Sequence, residues 1–198
     1  MGDVFAIGLR VVPAATGRGV GRALHEKMLA AAAQAGISRV LAFVDERQTR
    51  GIRFADAAGY RNVGRAWEST IDPQTFDPSG FRPVLERVAA SGVEFATLAD
   101  LRTRFPDWLE RLYELYGVLE SGIPFPIAER PNPFEVFRAE VVDSDLAMPE
   151  AFLIAVMGDV WVGLTEFRRV ESEPTWLAQE LTGVAPSHRK QGVATCLL

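Results

Sequence analysis

Two glycine-containing stretches have the residue types and spacing to hold an anion. Residues 16–21 read Thr-Gly-Arg-Gly-Val-Gly and residues 189–194 read Arg-Lys-Gln-Gly-Val-Ala. Laying Pro13 over Pro186 aligns VVPAATGRGVGRAL (11–24) with VAPSHRKQGVATCL (184–197). Gly19 then matches Gly192, Val20 matches Val193, Gly21 matches Ala194 and Leu24 matches Leu197. A strand that turns sharply into a helix leaves the first backbone N–H groups of the helix unpaired, and the helix dipole adds partial positive charge there. Small residues at 17, 19, 21, 192 and 194 let a diphosphate approach that backbone closely. Arg18, Arg22, Arg189 and Lys190 can add charge to its oxygens. A tight turn capping a helix explains one such stretch equally well; two matched copies weigh against that. A Walker loop is excluded because Gly-Arg-Ala stands where Gly-Lys-Ser/Thr is needed. A dinucleotide fingerprint fails too, since its sixth position is Arg22 counted from Gly17 and Leu24 counted from Gly19.

The elements that must position these loops are legible in outline. Residues 4–12 read as a strand ended by Pro13, and 20–35 as a helix with Leu24, Met28, Ala31 and Ala35 at helical spacing before Gly36. A strand over 39–44, a short helix over 51–58 stopped by Gly59-Tyr60, and a strand over 63–71 follow. Proline turns at Asp72-Pro73 and Asp77-Pro78 mark a module boundary. Beyond it come a linking helix at 81–90, a strand at 93–98 and a helix from Pro106 to about 119. The apolar face of that helix is Trp108, Leu109, Leu112, Leu115, Tyr116 and Leu119. The proline-rich 122–133 reads as an irregular loop and 133–141 as a short helix. An antiparallel meander then turns at Gly158-Asp159 and near Pro174 before reaching the second loop.

On these residues both loops resemble motif A of the GNAT N-acetyltransferases, Arg/Gln-x-x-Gly-x-Gly/Ala. The second copy matches fully as Arg189-x-x-Gly192-x-Ala194; the first has Thr16 in the leading position. Residues 39–60 resemble the family's later strand and helix, and 93–198 resemble its first half. The resemblance implies an α/β (α+β) fold: a mixed, largely antiparallel, splayed sheet flanked by helices, here with its elements in permuted order. Residues 1–78 would be the C-terminal half of one copy, and 79–198 a linker helix plus the N-terminal half of the next, as in tandem-GNAT proteins. It further implies acetyl-CoA as co-substrate, held by Val11, Val12, Thr16, Gly17, Arg18, Gly19, Val20, Gly21 and Arg22 at the first loop. At the second loop the corresponding residues are Val184, Ala185, Arg189, Lys190, Gln191, Gly192, Val193 and Ala194.

The implied reaction is direct acyl transfer to a primary amine of a small molecule or peptide. Glu180 and Glu166 are the candidates for the base, though each also suits a solvated carboxylate on a sheet face. Tyr113, Tyr116 and Glu120 fall where the family lines its acceptor pocket; aromatics at this spacing also suit a core. The family's acidic tyrosine, four residues before the Gly-Phe glycine, is Ala55 here. That favours the rival reading, a degenerate module that binds acyl-CoA or serves assembly. Tyr60 and Cys196 read as packing residues, His25 as a surface helix residue and His188 as a spectator.

The rest of the composition is exclusionary. A net charge of −5 argues against nucleic acid, no apolar run is long enough to span a bilayer, and one cysteine excludes an intramolecular disulfide and a cysteine metal cluster. No metal is expected, and a cytoplasmic location is. Half-domains leave strand edges to cover, so the sequence also suggests a homodimer that exchanges them.

Overall fold

The computed structural model describes residues 4–123 and 132–198. It is a mixed α/β structure whose main sheet is antiparallel and flanked by helices, and it forms two compact units, one ending at Trp67 and the other starting at Glu68.

In the first unit, β1 (Val4–Ile7) and β2 (Arg39–Ala42) pair in parallel, with Phe5 opposite Val40 and Ile7 opposite Ala42. Parallel neighbours need a crossover, supplied by α1 (Val20–Gln34). Helix α2 (Thr49–Ala57) follows. Gly36 and Gly59 end the two helices at φ 74° and 85°, and the Ile37 and Tyr60 N–H groups donate to the Ala32 and Ala55 carbonyls at 2.9 and 3.0 Å. This six-to-one bond is what a left-handed glycine after a helix makes possible. The strands are shorter than the periodicity predicts, and residues 63–71 carry no strand. The expected apolar stripe of α1 is also turned out: Leu24, Ala31 and Ala35 are exposed, and the helix buries His25 and Ala32 instead.

The second unit has the expected meander. Its sheet has the order β3 (Val93–Thr97), β4 (Ala147–Met157), β5 (Val160–Arg169), β6 (Leu177–Val184), all antiparallel. Alternation along β4 sends Phe152, Ile154 and Val156 to one face and Leu153, Ala155 and Met157 to the other. The first face packs on α4 (Leu98–Arg104), α5 (Trp108–Glu120) and the turn formed by α6 (Phe134–Phe137) with the π-helical 138–142. The second packs on α3 (Arg82–Ala90) and α7 (Val193–Leu197) through Val88, Val162, Val184, Val193 and Leu197. Helix α5 buries Leu112, Leu115 and Leu119 as its spacing predicts. Helix α4 was not anticipated, yet its start is written in Thr97-Leu-Ala-Asp100. The Thr97 hydroxyl accepts the Asp100 N–H at 3.1 Å and donates to the Asp100 carboxylate at 2.6 Å. Most of the proline-rich 122–133 lies outside the described residues. Among the described residues no helix is long and apolar enough to cross a membrane.

Candidate functional site

The two loops match in backbone conformation at four paired positions, Val12/Ala185, Thr16/Arg189, Gly17/Lys190 and Gly19/Gly192, at the spacing read from sequence. Val12 and Ala185 have φ/ψ of −58/144° and −52/141°, each preceding one 3₁₀ turn, Pro13–Ala15 or Pro186–His188. Thr16 and Arg189 close those turns at −69/150° and −70/162°, their N–H groups donating to the Pro13 and Pro186 carbonyls. Gly17 and Lys190 have φ of 74° and 62°; Gly19 and Gly192 lie at 81/−5° and 93/−2° and open α1 and α7. Lys190 is the informative member. A non-glycine residue in the left-handed region costs roughly 1–2 kcal/mol, so the turn, not local preference, sets this geometry.

Both helix starts lack a side-chain cap and an acidic residue in the first turn. Their leading N–H groups are thus available to a ligand anion. The surroundings differ. A Cβ built on Gly17 or Gly19 meets nothing within 4 Å, so the first loop is open to close approach. A Cβ on Gly192 would lie 2.6 Å from Val84 Cγ2 of α3, so that space is already filled by protein. Arg18, Arg22, Arg189 and Lys190 are exposed. The Thr16 hydroxyl donates to the Pro13 carbonyl at 2.8 Å, locking the first turn where the motif prefers Arg or Gln.

The second unit also carries a groove of about 440 Å³ along the end of β6, closed on its other side by Leu119, Gly122 and Ile123. It brings together Glu180, Val184 and Arg189. Arg189 folds back into it, its Nε donating to the Val184 carbonyl at 2.9 Å while its guanidinium lies over Gly122. Val11 and Val12, the counterparts of Val184 and Ala185, lie in irregular backbone after β1, with Val12 exposed.

The two candidate bases have unlike settings. Glu166 is buried to 2% exposure on β5; Tyr116 Oη donates to its Oε2 at 3.0 Å and Arg168 Nε stands 3.5 Å from its Oε1. Burial raises its pKa above the usual carboxylate range, against the lowering effects of Tyr116 and Arg168. Burial, and then the charge of Glu166, holds the Tyr116 phenol above its ordinary value. Glu180 is exposed and lines the groove, which Glu166 does not. They are separated by a β-bulge: Thr165 pairs with Thr182 and Phe167 with Gln179, so Glu180 and Leu181 together face Glu166. Tyr113 donates to the Asn132 carbonyl at 2.9 Å and packs on Phe134 and Phe137.

His25 is not a surface residue: it is 7% exposed, its Nε2 lies 3.0 Å from the Tyr60 hydroxyl, and it meets Phe54 edge to face. Its burial has a signal in sequence, since His25 and Ala32 are two turns apart on one helix face. Cys196 packs against the α3/α7 cluster, as expected. No metal-binding group of three or more His, Cys, Asp or Glu occurs among the described residues.

Residues 2–60 match the sequence model of the acetyltransferase (GNAT) family. The match contains the first loop and ends at Tyr60. Among solved structures, diaminobutyrate acetyltransferase EctA from Paenibacillus lautus, in complex with L-2,4-diaminobutyric acid and coenzyme A, is 20% identical with a TM-score of 0.35. That likeness covers 53% of this chain and 53% of the other, so the chain spans about half the length of that relative. No curated protein matches the chain.

Proposed function

We propose that the chain is a GNAT-type N-acyltransferase of tandem layout, moving an acetyl group from acetyl-CoA to a primary amine of a small molecule or peptide. The observation that carries this reading is the shared backbone of the two loops, uncapped at both helix starts, together with the family match over residues 2–60. Chemically the protein's task is positioning. The N–H groups opening α1 hold the diphosphate of the co-substrate, with Arg18 and Arg22 adding charge. At the second loop Arg189 and Lys190 have that role, with Gln191 beside them, and the groove at the end of β6 suits an extended chain lying along the strand. Such a chain must displace Arg189 Nε from the Val184 carbonyl. Glu180, exposed at the groove, is the better-placed base to take a proton from an ammonium acceptor; buried Glu166 holds Tyr116 instead.

A second reading, an acyl-CoA-binding module without turnover, is favoured by Ala55 at the position of the family's acidic tyrosine. Calorimetric titration with acetyl-CoA tests what both share: binding is expected, and no heat with either acetyl-CoA or CoA overturns it. Release of free thiol with a panel of amines then separates enzyme from binder.

A further inference from the structure

Arg189 belongs to the second loop by its backbone and to the groove by its side chain. Its backbone closes the 3₁₀ turn Pro186–His188, three residues before the Gly192 that opens α7. Its side chain runs back along β6, where Nε donates to the Val184 carbonyl at 2.9 Å. The guanidinium lies against Gly122, just after α5; a Cβ built there would stand 2.5 Å from Nη2, so glycine is what admits it.

The Val184 carbonyl is on the open side of its strand. The Ala185 N–H of the same peptide donates to the Val162 carbonyl on β5 at 2.8 Å, and the two ends of a trans peptide point in opposite directions. The carbonyl therefore faces away from β5, into the groove that Leu119, Gly122 and Glu180 also line. An extended chain with amide groups, lying along this edge, needs that carbonyl as an acceptor. Arg189 holds it. At the first loop the matching residue, Thr16, spends its hydroxyl on Pro13 within its own turn at 2.8 Å.

A guanidinium that exchanges a neutral carbonyl for a phosphate oxygen gains a charge-assisted bond about twice as strong. A diphosphate at the loop thus draws Arg189 out of the groove and frees the Val184 carbonyl for the chain attached to it. A ligand with the same chain and no diphosphate must displace the arginine unaided. We infer that Arg189 determines the co-substrate specificity of the second loop, admitting acyl thioesters of CoA to the groove and excluding those of pantetheine alone. The inference rests on the acyl-CoA reading above and adds to it a class of thioester that the site rejects.

The test titrates the whole chain calorimetrically with acetyl-CoA and with S-acetylpantetheine, which lacks the diphosphate. Wild type is expected to prefer acetyl-CoA, and inorganic pyrophosphate to raise its affinity for S-acetylpantetheine, because one side chain couples the two positions. Arg189→Ala should bind S-acetylpantetheine about three- to tenfold more tightly than wild type, the worth of the bond it removes. It should bind acetyl-CoA more weakly and show no pyrophosphate effect. Gly122→Ala lies outside the loop and crowds the guanidinium out of the groove, so it should raise S-acetylpantetheine affinity by a similar factor. An S-acetylpantetheine affinity that is unchanged, lower or undetectable in both variants overturns the inference, since an arginine that serves phosphate alone predicts no gain. A pyrophosphate effect that persists in Arg189→Ala overturns it too. Failure of the wild type to bind acetyl-CoA or CoA is a separate result, which overturns the proposed function and this inference with it.

Discussion

At the scale of residues, the paired glycines show how one motif meets two constraints. Gly19 needs its glycine for backbone conformation alone, whereas Gly192 needs it for conformation and for the approach of Val84. Gly19→Ala should therefore cost about 1–2 kcal/mol, and Gly192→Ala roughly 1–3 kcal/mol more through overpacking, both read from urea midpoints. Glu166 yields a pH prediction. Its folded pKa is raised by burial, so its favourable contribution is complete below the ordinary carboxylate pKa and is lost as pH rises through the folded value. Glu166→Gln should thus gain on the wild type as pH rises from 4 to 8, in parallel urea titrations; an advantage that shrinks with pH would refute this. The loop glycines and Arg189 were legible in sequence because turn chemistry is local. The burial of Glu166 and the filling of Gly192's flank by Val84 were not, because each depends on a residue from a distant element.

At the scale of elements, what was read correctly is what carries its own periodicity or punctuation. Helix α5 shows its buried stripe, and the Gly158 turn, at φ 62°, joins β4 to β5 where predicted. Residues 63–71 have a strand-like composition but no neighbouring strand among the described residues, and a strand without a ladder is only a propensity. Lys190 offers a test of loop design. Lys190→Gly gives the second loop the residue of the first and relieves a left-handed lysine, so it should raise the melting temperature slightly or leave it unchanged. A loss of several degrees would mean that the lysine side chain itself holds the turn.

At the scale of the whole molecule, burial and charge divide along the same line. Among the described residues, the second unit holds two apolar clusters, one on each face of its sheet, and the first holds three buried residues. Native-state hydrogen exchange should reflect this division. Amides of Ile154, Val162 and Leu164 should exchange only by global opening, and those of α1 and α2 far faster in dilute protein. The division falls between Trp67 and Glu68, ahead of the proline turns at 72–78. The charge asymmetry is plain in the sequence, with ten Lys/Arg against five Asp/Glu over residues 1–67 and eleven against twenty-one over residues 68–198.

The bulge in β6 has a consequence of another kind. Two residues facing one act as a frame shift within the strand: the alternation of side chains before Glu180 is out of phase with that after Leu181. Deleting either residue would restore a single phase. Residues upstream would keep their faces and partners, with Gln179 still opposite Phe167 and its Nε2 donating to Thr165 at 2.9 Å, because only the doubled position opposite Glu166 would be lost. A one-residue deletion here is thus absorbed by the strand, whereas the same deletion elsewhere in β6 would reverse which side of the sheet a half-strand addresses.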